Sequence, residues 1–181
     1  MVAAGCAWLL LRPGLWTLPG ATAVLAAGYL ALGVAAARSS AGATGHGTAA
    51  WPAPLAWPAV LAAGLAAVAA ANLVAGAGFA LRSDLVALAL ATEAAVAEEA
   101  LFRGALYGLL YGFLERFGPV PAVAGSALAF ALLHVPLYGM AALPVDLGAG
   151  LLLSWQRWAS GRWTVPAATH AAANLLAVIS R

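Results

Sequence analysis

Glu98-Glu99-Ala100-Leu101-Phe102-Arg103 sets three charges inside an apolar run that begins near Leu85 and continues to about Phe113. A run of that length predicts a membrane-spanning helix. Charged side chains are costly at such depth and are retained where they pair, sit in a cavity or take part in chemistry. Helix geometry separates the three. Glu99 and Arg103 are four residues apart, share a face and can form an ion pair. Glu98 is rotated from Glu99 by about 100° and shares its face with Phe102. The sequence therefore predicts that Arg103 neutralises Glu99 and that Glu98 is left for another task.

Composition supports the membrane setting. The 181 residues are 65% hydrophobic and 8% charged, with a mean hydropathy of +0.96, whereas a soluble domain carries about 25% charged residues. The net charge of +2 is too small for a nucleic-acid partner, and the single Cys6 excludes an internal disulfide and a multi-cysteine metal site. Trp16, Trp51, Trp57, Trp155, Trp158 and Trp163 fall where hydrophobic runs end, as interfacial belts do. Residues 2–11 are apolar but lack a basic n-region and are broken by Arg12 and Pro13, so no cleavable signal peptide is expected.

Taken in order, residues 1–19 read as a short span, a half-helix or an interfacial segment. A first clear span covers 20–37, and 38–56, with His46, read as an exposed loop. A second span covers 57–80, followed by Ser83 or Asp84 as a helix cap. The third, about 85–113, carries the acidic motif and ends in the charged turn Glu115-Arg116-Phe117-Gly118-Pro119. The fourth runs from about Pro121 to Leu137 with His134, and the fifth from about Val145 to Trp158, with Asp146 as its cap. The sixth runs from about Trp163 to Ile179 with His170 and Asn174. The expectation is an all-α polytopic bundle of about six spans. Short turns imply antiparallel neighbours. Arg38, Arg116, Arg157 and Arg162 fall on one side, and Arg12, Arg82 and Arg181 on the other, a bias too small to orient the chain.

Three spans thus bring ionisable or amide groups to membrane depth. Phe130 and His134 are four apart, as are His170 and Asn174, so each pair shares a helix face. Alanines and glycines surround them and let helix backbones approach closely. A carboxylate beside an imidazole can activate a water, and a second imidazole with an amide can donate to an oxyanion. Those parts suit peptide-bond hydrolysis. Glu93 points about 140° away from Glu98 and reads as a cavity group. Tyr107, Tyr111 and Tyr138 read as packed or interfacial aromatics, and Phe130 as packing that fixes the face of its helix.

In this order, Glu98-Glu99-x-x-x-Arg103, Phe130-x-x-x-His134 and His170-x-x-x-Asn174 resemble the three motifs of the CPBP family, the CAAX prenyl endopeptidase and bacteriocin-processing (Abi) intramembrane proteases. The resemblance covers about residues 84–180; residues 1–83 carry none, and the two parts are expected to form one integrated membrane domain. It implies a protease in which Glu98 and His134 activate water, His170 and Asn174 form the oxyanion site, and Glu99 and Arg103 hold the site together. It also implies a metal-free, glutamate-dependent mechanism without a cofactor. The alternative is zinc on Glu98, His134 and His170, against which stand the missing His-Glu-x-x-His pattern and the poor ligand Asn174.

The expected partners are the lipid bilayer and a protein or lipopeptide substrate cut near its C-terminus: a prenylated CAAX protein, a bacteriocin precursor or a C-terminal sorting signal. The short chain and alanine-rich composition favour a prokaryotic cytoplasmic-membrane enzyme resembling the myxosortases. The competing reading is a non-proteolytic immunity factor or scaffold that uses the same cavity for binding; a complete set of catalytic residue types separates the two.

Overall fold

The computed structural model describes residues 56–75 and 85–179, together with Ala31. Residues 1–19, the span 20–37 apart from Ala31, His46, and the cap candidates Ser83 and Asp84 lie outside the described residues.

Every regular element among the described residues is helical. α1 is Trp57–Val74, entered through Pro58, whose fixed φ and missing N–H suit a first turn. α2 is Leu85–Glu99. It runs without a break into a π-helix, Ala100–Leu106, and then into α3, Tyr107–Leu114. The third predicted span is thus one rod, but it is not α-helical throughout. The expected breakers act as a 3₁₀ turn, Glu115–Phe117, closed by Gly118. α4 is Val120–Tyr138 and stops at Gly139. α5, Leu143–Ser160, ends in the left-handed Gly161 at φ 68°, a conformation in which a Cβ would be strained. α6 is Thr164–Ile179.

Asp146 does not cap α5. The helix already begins at Leu143, because Pro144 fits its first turn, and no side chain caps it. Asp146 lies within that turn, where the helix macrodipole favours a carboxylate. Arg157, counted in the sequence only as one of four arginines on one side, sits in the last turn of α5 and points inward.

Side-chain contacts set the register. Ser126 of α4 reaches the Phe102 carbonyl, and His134 lies beside Glu98, so α4 runs antiparallel to the rod. Asn174 meets Ala91 and His170 meets Glu99, so α6 runs antiparallel to α2. Gly150 of α5 lies against Ala127 of α4, where an added Cβ would sit 2.9 Å from the Ala127 carbonyl oxygen. The buried Gln156 of α5 donates to the Val60 carbonyl of α1 and to Thr169 Oγ1 of α6, at 3.0 and 2.9 Å. α1 therefore starts at the end of the bundle where α5 finishes and α6 begins.

The distribution of polarity is that of a protein dissolved in lipid. Glu99, Arg103, Ser126, Ser154, Gln156 and Thr169 are buried, whereas Leu73, Val74, Leu85 and Phe113 are largely exposed. In water, such an exposed apolar surface would drive association; against acyl chains it costs nothing. Two described helices, α1 and α4, are long and apolar enough to cross a membrane, each with a mean hydropathy of 1.8.

Candidate active site

The rod, α4, α5 and α6 converge on Glu98 and Glu99. Arg103 is fully buried and donates from Nη1 to Glu99 Oε1 at 2.7 Å, as the four-residue spacing predicts. Nη2 donates to the Gly150 carbonyl at 3.0 Å, which ties the rod to α5. The guanidinium also lies over the Phe130 ring, 4.5 Å from its centroid, a cation–π contact strengthened by the full burial of Arg103.

Glu99 does more than neutralise Arg103. The same Oε1 accepts a bond from His170 Nδ1 at 2.9 Å. Because this carboxylate is already ion-paired, it acts as an acceptor, so Nδ1 carries the proton. His170 is then fixed in orientation with Nε2 turned towards Glu98. His134 is fixed in the same manner by a different group: its Nδ1 lies 2.8 Å from the Phe130 carbonyl oxygen. A carbonyl only accepts, so this Nδ1 is also the protonated nitrogen, and Nε2 of the neutral ring presents a lone pair.

Glu98 occupies the space between the two free ring nitrogens. Its Oε2 is 3.7 Å from His134 Nε2 and 3.8 Å from His170 Nε2. Neither distance is a direct hydrogen bond, and both leave an edge on which a small polar molecule can bond to carboxylate and imidazole together. Glu98 side-chain exposure is 18%, and that of each histidine 12%, against 0% for Glu99 and Arg103. Adjacent glutamates thus have distinct environments: one is locked in the core, the other lines an accessible recess.

Phe130 is the packing centre. It meets Phe102 edge-on at 5.3 Å, His134 at 4.3 Å and His170 edge-on at 5.8 Å between ring centroids. Tyr138 stacks on the other side of His134 at 5.7 Å, while Tyr107 is buried and stacks with Tyr111. Asn174 lies one turn beyond His170, and its Nδ2 donates to the Ala91 carbonyl of α2 at 3.2 Å. One amide hydrogen is therefore engaged with the backbone, leaving the second N–H of that group. Glu93 is half-buried on α2. Among the described residues, no three His, Cys, Asp or Glu side chains are arranged to hold a metal ion.

Several contributors have no signature in the sequence. Gly150 acts through its carbonyl, and Ser126 donates to the Phe102 carbonyl at 2.9 Å. Arg157 donates from Nε to the Arg103 carbonyl at 3.0 Å, with its guanidinium 5.2 Å from the Tyr107 ring centroid. These contacts grip the π-helical turn from α4 and α5. π-helical turns are rare and concentrate at functional sites. Arg157 was visible only as an arginine near a span end, and nothing local indicated its partner.

Residues 83–176, more than half of the chain, match the family described as type II CAAX prenyl endopeptidase Rce1-like. No curated protein and no solved structure matches the chain. The match contains all three motifs and the whole of the carboxylate–imidazole recess, and the chain belongs to the type II CAAX prenyl endopeptidase Rce1-like family of membrane-embedded proteases.

Proposed function

We propose that the protein is a glutamate-dependent intramembrane endopeptidase that cuts a membrane-associated protein or lipopeptide near its C-terminus. The observation that carries this reading is the placement of Glu98 Oε2 within 3.8 Å of two oriented imidazoles while Glu99 is held by Arg103. A water has two hydrogens, and Glu98 Oε2 and His134 Nε2 are two acceptors 3.7 Å apart. Bonded to both, the water turns a lone pair towards the scissile carbonyl carbon. As its oxygen bonds to that carbon, one proton passes to the Glu98 carboxylate. The carbonyl π-electrons move onto oxygen. His170, donating Nδ1–H to Glu99 and Nε2–H to the oxyanion as the imidazolium, stabilises that charge with the remaining Asn174 N–H. Collapse of the intermediate breaks the C–N bond, and the proton held by Glu98 goes to the leaving amine.

In this reading the chain crosses a prokaryotic cytoplasmic membrane in about six spans, with α2, α5 and α6 completing the bundle around α1 and α4. Its substrate is a prenylated C-terminal peptide or a C-terminal sorting or leader sequence of the type that myxosortase-like enzymes process. The mechanism requires no metal. The test uses purified protein in detergent with two fluorogenic peptides of the same C-terminal sequence, one carrying a prenyl group on cysteine. Cleavage of either, retained after exhaustive chelation and lost in Glu98→Gln, supports the proposal. Chelation that abolishes activity, with recovery on zinc addition, would replace it with a zinc enzyme. Binding of both peptides without cleavage would favour a scaffold or immunity function.

A further inference from the structure

At the end of the bundle where α1 and α6 both begin, Trp57, Leu61, Arg162, Thr164, Val165 and Ala168 line an open cavity of about 190 Å³. With about 30 Å³ per water in the liquid, the space accepts a small head group but not a folded peptide segment. Its lining is divided chemically. Leu61, Val165 and Ala168 contribute apolar surface, Arg162 is the one charged group in the lining, and Thr164 and Trp57 add a hydroxyl and an indole. Arg162 makes no ion pair with any described residue. Its backbone is nevertheless fixed, because its N–H donates to Ser160 Oγ at 3.2 Å within the turn that Gly161 closes. The backbone that carries the cation is therefore held in place, and the exposed guanidinium has no ion-pair partner among the described residues.

Depth specifies what reaches this cavity. Trp57 opens an apolar helix with a mean hydropathy of 1.8, and the residue is 46% exposed. A tryptophan at the start of a span marks the boundary between acyl chains and water. A cation with an indole at that level, in a cavity with apolar surface, complements an anion that carries a hydrocarbon chain. A guanidinium also binds phosphate in forked geometry.

We infer that this cavity binds the head group of an anionic phospholipid. The phosphate pairs with Arg162, the glycerol region lies against Trp57 and Thr164, and the first methylenes of an acyl chain continue over Leu61, Val165 and Ala168. The inference is independent of the proteolytic reading, since the residues that line this cavity are distinct from those of the carboxylate–imidazole recess.

The test measures lipid retained by purified protein in native mass spectrometry after exchange with phosphatidylglycerol or phosphatidylcholine. Arg162→Gln removes the cation, and Ala168→Leu adds bulk to the apolar lining from an exposed position. Arg116→Gln is the control: Arg116 lies in the α3–α4 turn at the same end of the bundle, over the Phe117 ring, and is not part of the cavity. Wild type and Arg116→Gln are expected to retain phosphatidylglycerol in preference to phosphatidylcholine. Arg162→Gln and Ala168→Leu should each lower that retention by about fivefold or more, with melting temperatures close to wild type. Equal retention by Arg162→Gln and wild type would overturn the proposal. So would equal losses in Arg162→Gln and Arg116→Gln, which would mean a general charge effect, or retention of phosphatidylcholine equal to that of phosphatidylglycerol, which would mean an apolar groove only.

Discussion

Two neighbouring glutamates with the same side chain have opposite assignments because about 100° of helix rotation separates them: Glu99 faces Arg103 in the core, and Glu98 faces His134 and the Nε2 of His170. Glu98→Gln keeps volume and removes the base. It is expected to lower kcat by about 10²–10⁴-fold while leaving thermal unfolding in detergent nearly unchanged. Glu99→Ala leaves the fully buried Arg103 and the Nδ1 of His170 without their shared acceptor. The cost expected for breaking a buried pair is about 3–5 kcal/mol, read as a lower melting temperature and a reduced yield of folded protein. Equal destabilisation by both substitutions would contradict the division of roles. Asn174→Ala is expected to slow cleavage by about 10²–10³-fold, with little change in KM, if the amide serves the oxyanion. A change confined to melting temperature would instead assign Asn174 to its bond with the Ala91 carbonyl. The pairing of Glu99 with Arg103 was legible because it is local, a consequence of four-residue spacing on one helix. The second partner of Glu99, His170, is 71 residues away and was not.

The decisive element is the π-helical turn Ala100–Leu106. Within it the Phe102 carbonyl accepts the N–H of Tyr107, five residues on, and also the Ser126 hydroxyl. The Arg103 carbonyl takes Arg157 Nε. The turn is thus held from two other helices, and it sets the direction in which the rod continues after the glutamates. Gly150 supports it through the carbonyl that Arg103 uses, where α5 packs tightly against Ala127 of α4. Gly150→Ala would place a methyl 2.9 Å from the Ala127 carbonyl oxygen, so the two helices must separate. The expected penalty is about 1–3 kcal/mol, typical of overpacking, accompanied by lower activity because the Arg103 anchor moves with α5. Circular dichroism melting with a parallel cleavage assay checks both; an unchanged melting temperature would show that α5 is free to shift. Periodicity located the rod and its charged terminus, but an α-helix and a π-helix share the same apolar sequence, and contacts from α4 and α5 favour the wider turn.

At the scale of the molecule, buried polar side chains connect helices, and many large apolar ones face outward. This inversion follows from a solvent that cannot hydrogen-bond. Gln156 joins α1, α5 and α6 through Val60 and Thr169. Gly64 of α1 makes that junction possible, because a Cβ there would collide with Gln156 Nε2 and lie 2.7 Å from Thr169 Oγ1. Gly64→Ala is therefore expected to destabilise the bundle by about 1–3 kcal/mol while leaving the carboxylate–imidazole recess chemically intact. Folded protein should show near-normal kcat at low temperature and a lower melting point. Loss of kcat in fully folded protein would mean that α1 is coupled directly to His170 on α6.

The sequence by itself determined the class of the molecule and the identities in its recess. Hydropathy and charge fraction require a bilayer, helical spacing sorts Glu98 from Glu99, and three motifs in order carry the family, because each of these is a property of composition, of chain order or of residues within about one turn of each other. Tertiary structure alone decided how the groups are aimed. Which nitrogen of each histidine holds the proton depends on Glu99 and on the Phe130 carbonyl. Asp146 entered the helix that it was expected to cap. Arg157 turned inward onto a backbone carbonyl 54 residues away. Those outcomes are fixed by burial, where every polar group needs a partner and the nearest one in space belongs to another helix.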